Sequence, residues 1–317
     1  MTGAEPLDRD PAEVVPVAAE GIVDDERTRV IAWSEVTALP ARSARRIPSV
    51  GARLPESAER VGDAVAWVDI EAGTVQRIDA QGRLDVLAQG MDAPSMVRAI
   101  GDDLIVASRP GVQRWEGVQR RHGGRGATVH TSFTPAPEDG QHGPHVRFND
   151  GRLAPDGALW AGTCDEADPE MRGSLWRRGA DRWAEVVSGM LCSNGVDWTA
   201  DGSMLVIDSL RRRMLVGAPD ASGCPAAWRV GVRFELGDAI PDGLTVLADG
   251  RIAVAVWGGR AAIVLSADGT PVERIDVPCD RVTSSAEAPW GLVLTGAATG
   301  EEDGGLFVVD GWTAALS

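Results

Sequence analysis

A chain of 317 residues with 44% hydrophobic residues, 38 glycines and 19 prolines can bury a sizeable core, as one large all-β domain or as two ordinary ones. Its net charge of −16 argues against a nucleic-acid binder, which presents basic surface to phosphate, and favours cations over anions near the protein. All 31 basic residues are arginine, which excludes a Schiff-base lysine and the lysine of a phosphate-binding P-loop.

In chain order, MTGAEPLDRDPAEVV is acidic and lacks the basic start and apolar core of a signal peptide. No later stretch reaches the apolar length of a membrane span. Cys164, Cys192, Cys224 and Cys279 form no CxxC pair, so a reduced cytoplasmic protein is expected, with no nucleic-acid or membrane partner. Residues 1–45 read as an extension rich in Asp, Glu, Arg and Pro, partly disordered or carrying an extra hairpin at VDDERTRVIAWSEV. The main domain is expected over 46–317. It opens on IPSVGARL, which reads as a missing outer strand for the first blade.

From there a turn glycine followed by a small apolar strand recurs: GDAVAWVD at Gly62, GDDLIVAS at Gly101, GALWAGT at Gly157, GSMLVIDS at Gly202, GRIAVAV at Gly250 and GLVLTGA at Gly291. The intervals of 39, 56, 45, 48 and 41 residues suit propeller blades, each a four-stranded antiparallel sheet of about 40–50 residues. Thr74–Ala88 and Ala261–Val277 each read as strand, turn and strand, and no convincing amphipathic helix intervenes. A β-sandwich would not explain the regular spacing. The predicted fold is an all-β, six-bladed β-propeller with a metal site at the mouth of its central channel.

The strand before each glycine should be the innermost of its blade, and the residues opening it should face the channel. Asn149, Asn194 and Asp242 each stand eight residues before their glycine, in NDGRLAPDG, SNGVDWTADG and PDGLTVLADG. Glu56 stands six before Gly62, and a hairpin two residues shorter brings it to the same position. Taken singly, Asn-Gly and Asp-Gly are strong turn dipeptides. The shared offset across three blades is what favours a site. Glu56, Asn194 and Asp242 would form an all-oxygen, doubly anionic cluster, and two crowded carboxylates repel unless a cation lies between them or one stays protonated. Such donors suit Ca²⁺, Mg²⁺ or Mn²⁺ and admit Fe²⁺ or Zn²⁺. His142 and His145 form an HxxH in a Gly-rich loop with no third ligand nearby, though His145 could line the pocket, just before Arg147. Cys192 reads as a small buried hydrophobe. Neither a G-x-S-x-G elbow nor a G-x-G-x-x-G helix opening occurs.

HVRFNDGRLAPDGALWAGT, CSNGVDWTADGSMLVIDS and PDGLTVLADGRIAVAVWGGR resemble the three hallmark segments of the regucalcin/gluconolactonase family of sugar lactonases. RLPESAERVGDAVAWVDIEAGTVQRID resembles the family's opening segment and VPCDRVTSSA its closing one. The resemblance spans about residues 45–310 in the family's order. It implies a six-bladed propeller holding one divalent cation, Ca²⁺ first among the candidates, on Glu56, Asn194 and Asp242. It further implies that Arg147 and Asn149 contact the substrate, with Asn149 close to the metal. An acidic residue after the second motif is implied too, and Glu166 is taken from Asp165, Glu166 and Glu170. The opening motif departs from the family's Glu-Gly-Pro or Glu-Ser-Pro, reading Glu56-Ser57-Ala58, and AAEGIVDDERTRVIAWSEV mimics it, which makes Glu20 a rival. The implied activity is metal-dependent hydrolysis of a sugar aldonolactone to the aldonic acid, a carboxylic ester hydrolysis of carbohydrate metabolism, with Asp242 as general base. Its rivals are a non-catalytic calcium-binding regulatory propeller, a scaffold for protein partners, and another ester or lactone hydrolase.

Overall fold

Apolar runs such as AVAWVD, LWAGTCD and AAIVL alternate with turns bearing Gly and Asp, and the chain folds into successive antiparallel meanders. The structure is a computed structural model describing residues 14–118, 133–135, 145–179, 182–218, 223–225, 227–300 and 304–312. Four strands come from the N-terminal part: β1 (Val17–Ala18), β2 (Arg29–Ala32), β3 (Ala41–Ser43) and β4 (Arg45–Ala52). The first sheet runs β5 (Pro55–Val61), β6 (Ala64–Asp69), β7 (Thr74–Ile78), β8 (Leu84–Gln89). The second runs β9 (Met96–Ile100), β10 (Asp103–Ser108), β11 (Gly111–Trp115), β12 (Phe133–Pro135). The third contains β13 (Val146–Leu153), β14 (Leu159–Asp165), β15 (Arg172–Arg178) and β16 (Trp183–Leu191). The fourth contains β17 (Ser193–Trp198), β18 (Met204–Asp208), β19 (Arg213–Gly217) and β20 (Trp228–Glu235).

A nine-stranded sheet follows, holding β21 (Ile240–Val246), β22 (Ile252–Trp257), β23 (Ala261–Leu265) and β24 (Pro271–Asp276), then β25 (Arg281–Ala288), β26 (Gly291–Ala297) and β27 (Gly304–Asp310). A single residue pair, Trp257 with Arg281, joins its two runs. The first strands β5, β9, β13, β17, β21 and β25 pack on one another in a closed cycle, which makes the arrangement all-β and propeller-like. Gly62, Gly101, Gly157, Gly202 and Gly250 turn the hairpins out of five of these strands with φ between 57° and 85°, a conformation that costs glycine nothing.

The core is divided among the interfaces between neighbouring meanders. Trp67 and Ile78 pack with Val293 and Val308, so that the first sheet meets the last. Phe148 and Ala161 pack with Met96 and Ala107 between the second and third. Among the described residues no helix is long and apolar enough to cross a membrane.

The N-terminal part departs from expectation. VDDERTRVIAWSEV makes no hairpin: β2 within it runs parallel to β20, and a short helix, α1 (Trp33–Thr37), follows. β1 lies parallel to β16 and β3 parallel to β24, so residues 14–43 cover the outer edges of three consecutive meanders. Edge strands carry unpaired N–H and C=O groups, and this covering satisfies them. Residues 1–13 of the expected 1–45 extension lie outside the described residues. IPSVGARL forms β4, which pairs antiparallel with β27 and so completes the last meander instead of the first. The reason is strand supply: residues 55–89 already provide four strands, whereas residues 281–310 provide three.

Candidate active site at the inner ends of the strands

Each site-bearing inner strand carries a β-bulge. The register slips between Phe148 and Gly151 on β13, Ser193 and Val196 on β17, Pro241 and Leu244 on β21, and Glu56 and Glu59 on β5. An extra residue at such a point re-aims the side chains around it. Asn149, Asn194 and Asp242 each occupy the first bulge position, so their common offset in the sequence corresponds to a common place in the structure. They lie within strands and not in turns. Their following glycines have a different cause: a Cβ on Gly195 would strike the Leu244 amide nitrogen, and one on Gly243 would lie 2.5 Å from the Thr283 carbonyl oxygen. The inner strands approach too closely there for any side chain.

Glu56 differs in register. The ladder sets Ser57 level with Asn194, and Glu56 one residue earlier. Ser57 is left-handed, with φ 58°, which turns the chain sharply after Glu56. Glu56, half-buried, nevertheless lies within electrostatic reach of the Asp242 carboxylate. Glu20 does not. It is exposed in the turn after β1, on the outer edge of the third sheet, so placement separates the two rivals.

Both carboxylates strongly favour their neutral forms. Burial, then the charges of Asp242 and Asp150, push Glu56 well above the usual carboxylate range. Burial and the Asp150 charge do the same to Asp242, against the opposing influence of an Asn194 hydrogen bond and the Arg147 cation. Asp242 is 4% exposed, and its Oδ1 has no hydrogen-bond partner. Among the described residues no group of three or more His, Cys, Asp or Glu could hold a metal ion. The expected set contains two carboxylates and would be completed by an amide. Its donor chemistry fits a hard cation: two carboxyls held above their usual range, an orphaned buried oxygen and a neighbouring carboxamide.

Arg147, Asn149 and Glu166 join into one hydrogen-bonded chain. Arg147 Nε donates to Glu166 Oε1 (2.8 Å), and its Nη1 donates to Asn149 Oδ1 (2.6 Å). Asn149 Nδ2 donates to the Ser193 carbonyl (2.8 Å) and lies 3.9 Å from Cys192 Sγ, which Asn194 Nδ2 approaches to 4.0 Å from the other side. Cys192 is thus a buried spacer between two amides. Glu166 also accepts from Arg109 Nη2 (2.8 Å). Burial would raise its carboxyl, but the hydrogen bonds from Arg109 and Arg147 outweigh that and hold it below the usual range. His145 is exposed just ahead of β13, with its carbonyl accepting the Glu166 N–H (3.1 Å), and His142 lies outside the described residues.

Sequence reasoning missed Arg98, Arg109 and Asp150. Asp150 pairs with Arg98 at 2.6 Å between β13 and β9. The only available sign of Arg98 was a charge inside the apolar run SMVRAI. Arg109 carried no sequence signal. Among the described residues no ladder joins one inner strand to the next. Polar side chains make the links instead. Ser57 Oγ takes the Val97 N–H (3.0 Å), Arg98 meets Asp150, and Arg152 meets Asp197 (2.8 Å). Asp197 Oδ2 takes the Val246 N–H (2.8 Å), Thr245 donates to the Ser285 carbonyl (2.7 Å), and Ser284 Oγ takes the Ala58 N–H (2.9 Å).

Known proteins resemble this chain over most of its length. The family profile of the SMP-30/Gluconolactonase/LRE-like region matches residues 54–288. An L-arabinolactonase of Azospirillum brasilense is 30% identical over 249 residues, covering 77% of this chain and 80% of its own. A 6-deoxy-6-sulfogluconolactonase of Pseudomonas putida is 29% identical over 240 residues, covering 74% and 77%. The solved structure of a calcium-binding regucalcin from Agrobacterium tumefaciens shares the fold, with a TM-score of 0.74 at 21% identity over 86% of this chain and 95% of that one. With the bulged inner strands and the family profile covering the same residues, the chain belongs to the SMP-30/gluconolactonase/LRE-like family.

Proposed function

We propose that the protein is a metal-dependent hydrolase that opens a sugar aldonolactone to its aldonic acid, at the channel mouth of a six-bladed propeller. Lactonases among its relatives support the reaction class. The blade count rests on dividing the nine-stranded sheet at its single Trp257–Arg281 pair, which leaves β21–β24 as one blade and β25–β27 with β4 as the next. Four widely spaced cysteines without a CxxC pair fit a reduced, cytoplasmic setting.

The observation that carries the site is the Glu56–Asp242 pair, with its unpartnered Asp242 Oδ1 beside Asn194. Glu56, Asn194 and Asp242 would hold the cation, Ca²⁺ first, with Zn²⁺, Mg²⁺, Mn²⁺ and Fe²⁺ as the alternatives. Bound there, it supplies Lewis-acid polarisation of the lactone carbonyl. Asp242, ionised when the cation is held, would take a proton from the attacking water through its carboxylate. The ring C–O bond breaks as the new C–O bond completes, and the proton passes to the departing ring oxygen. Arg147 and Asn149, fixed to one another, orient the ring hydroxyls. Glu166 accepts from a hydroxyl at the rim.

Chelated protein and Asp242→Ala should both lose turnover on gluconolactone, xylonolactone and arabinonolactone, with an unchanged circular dichroism spectrum. Re-metallation ion by ion should restore only the chelated protein. Full activity of either would overturn the mechanism. A calcium-binding regulatory propeller using the same residues would bind Ca²⁺ and turn over none of the three lactones.

A further inference from the structure

The inner strand β9 supplies none of the expected site residues, yet it carries the cation buried deepest beside them. Arg98 is 4% exposed and donates five hydrogen bonds. Toward β5, its Nη1 donates to Ser57 Oγ (2.6 Å) and the Ser57 carbonyl (3.3 Å). Toward β13, its Nη2 donates to Asp150 Oδ1 (2.6 Å) and its Nε to the Gly151 carbonyl (2.6 Å). The fifth bond goes to its own strand, at the Val97 carbonyl (2.7 Å).

These acceptors are not scattered. Ser57 is the left-handed residue directly after Glu56, and Asp150 and Gly151 directly follow Asn149. One planar guanidinium therefore spans the two bulges that aim Glu56 and Asn149. Ser57 is doubly held, since its Oγ also accepts the Val97 N–H (3.0 Å). A non-glycine residue pays roughly 1 kcal/mol to adopt such a φ, so the conformation needs fixing from outside. A lysine offers a single nitrogen and cannot reach both strands in this way.

We propose that Arg98 is a positioning residue, whose guanidinium locks the bulge after Glu56 to the bulge after Asn149 and thereby sets Glu56 at its working distance from Asp242 and Asn194. This rests on the reading of Glu56 as a cation ligand. Two variants test it while conserving the net charge beside the site. Arg98→Lys keeps the positive charge opposite Asp150 and loses the ties to β5. The double variant Arg98→Met with Asp150→Asn removes the ion pair together and leaves no unpaired buried charge, so it folds even where the single variant does not.

The parent and both variants are titrated calorimetrically with Ca²⁺ alone, and lactone kinetics are measured in parallel. The dissociation constant for Ca²⁺ should rise about ten- to a hundredfold in whichever variant folds. The kcat should fall with it, while KM for the lactone changes far less, because Arg147 and Glu166 hold each other and Asn149 keeps its own bonds to Arg147 and the Ser193 carbonyl. A merely structural arginine would lower the melting temperature and leave the Ca²⁺ constant where it was, and that result overturns the proposal. If the parent binds neither Ca²⁺ nor Mn²⁺ or Zn²⁺, the cation reading itself fails and the proposal falls with it, an outcome distinct from equal affinity in parent and variant.

Discussion

Asp242 illustrates how one side chain sets two opposing demands. As a buried carboxylate beside Glu56 it weakens the metal-free protein, and as the group with an orphaned oxygen it is the proposed base. Asp242→Asn should therefore abolish turnover and raise the stability of the chelated protein by on the order of 2 kcal/mol near neutral pH. The gain should depend on pH in a defined direction. In the unfolded chain these carboxyls titrate near about pH 4, whereas the folded pair keeps its proton to higher pH. Between those limits the folded state binds more protons, so the parent loses stability as the pH rises. Below about pH 4 both states are protonated and the parent suffers no penalty. Melting curves of parent and variant in chelator should thus coincide near pH 4 and separate as the pH rises. A constant gap would refute the assignment. Asn149, Asn194 and Asp242 were legible in the sequence because their bulges fall at the same count from a hairpin glycine. Glu56 was displaced by one position because its strand ends in a tighter turn and passes through a left-handed serine. Arg98 and Asp150 were not legible: they are 52 residues apart, and nothing local marks either as the other's partner.

At the scale of the element, the bulge and its close-packed glycine act together. Asn194-Gly195 and Asp242-Gly243 look like turn dipeptides, but the glycines are there because neighbouring inner strands touch. Gly195→Ala should cost about 1–3 kcal/mol by forcing β17 away from β21, and should lower kcat by moving Asn194. Urea titration and steady-state kinetics on one preparation would check both. Five of the six hairpin glycines, by contrast, were read correctly, since turn chemistry is local, whereas Gly291 stands as the first residue of β26. Strands β1, β2 and β3 were misjudged for the opposite reason. They are two to four residues long and pair with edges far away in the chain, so periodicity had nothing to register.

For the whole molecule, closure is made by unlike means on the inside and the outside. Inside, among the described residues, side-chain hydrogen bonds connect each inner strand to the next, so the axis is held by polar groups and not by a ladder. Outside, the N-terminal segment is fastened by Arg213, buried with Asp208 (2.9 Å), which donates to the Ile22 carbonyl (2.6 Å) and the Ala19 carbonyl (2.7 Å). Arg213→Met should destabilise the protein by about 3 kcal/mol, since it leaves Asp208 with Arg211 as its remaining cation, the Ile22 carbonyl without its side-chain donor and the Ala19 carbonyl with the Ile22 N–H alone. Denaturant unfolding would register this as a lower midpoint, and an unchanged midpoint would show that the segment is only loosely attached.

The order of that outer segment has a further consequence. Residue 17 pairs with 187, residue 29 with 232, residue 41 with 274 and residue 45 with 308, so each early strand waits for a later partner. On the ribosome, β1 to β4 emerge before any of their partners exist, and β4 finds β27 only once residues 304–310 have been made. The four early strands therefore dock in the order in which they are made, β1 first and β4 last, and β4 completes the final meander.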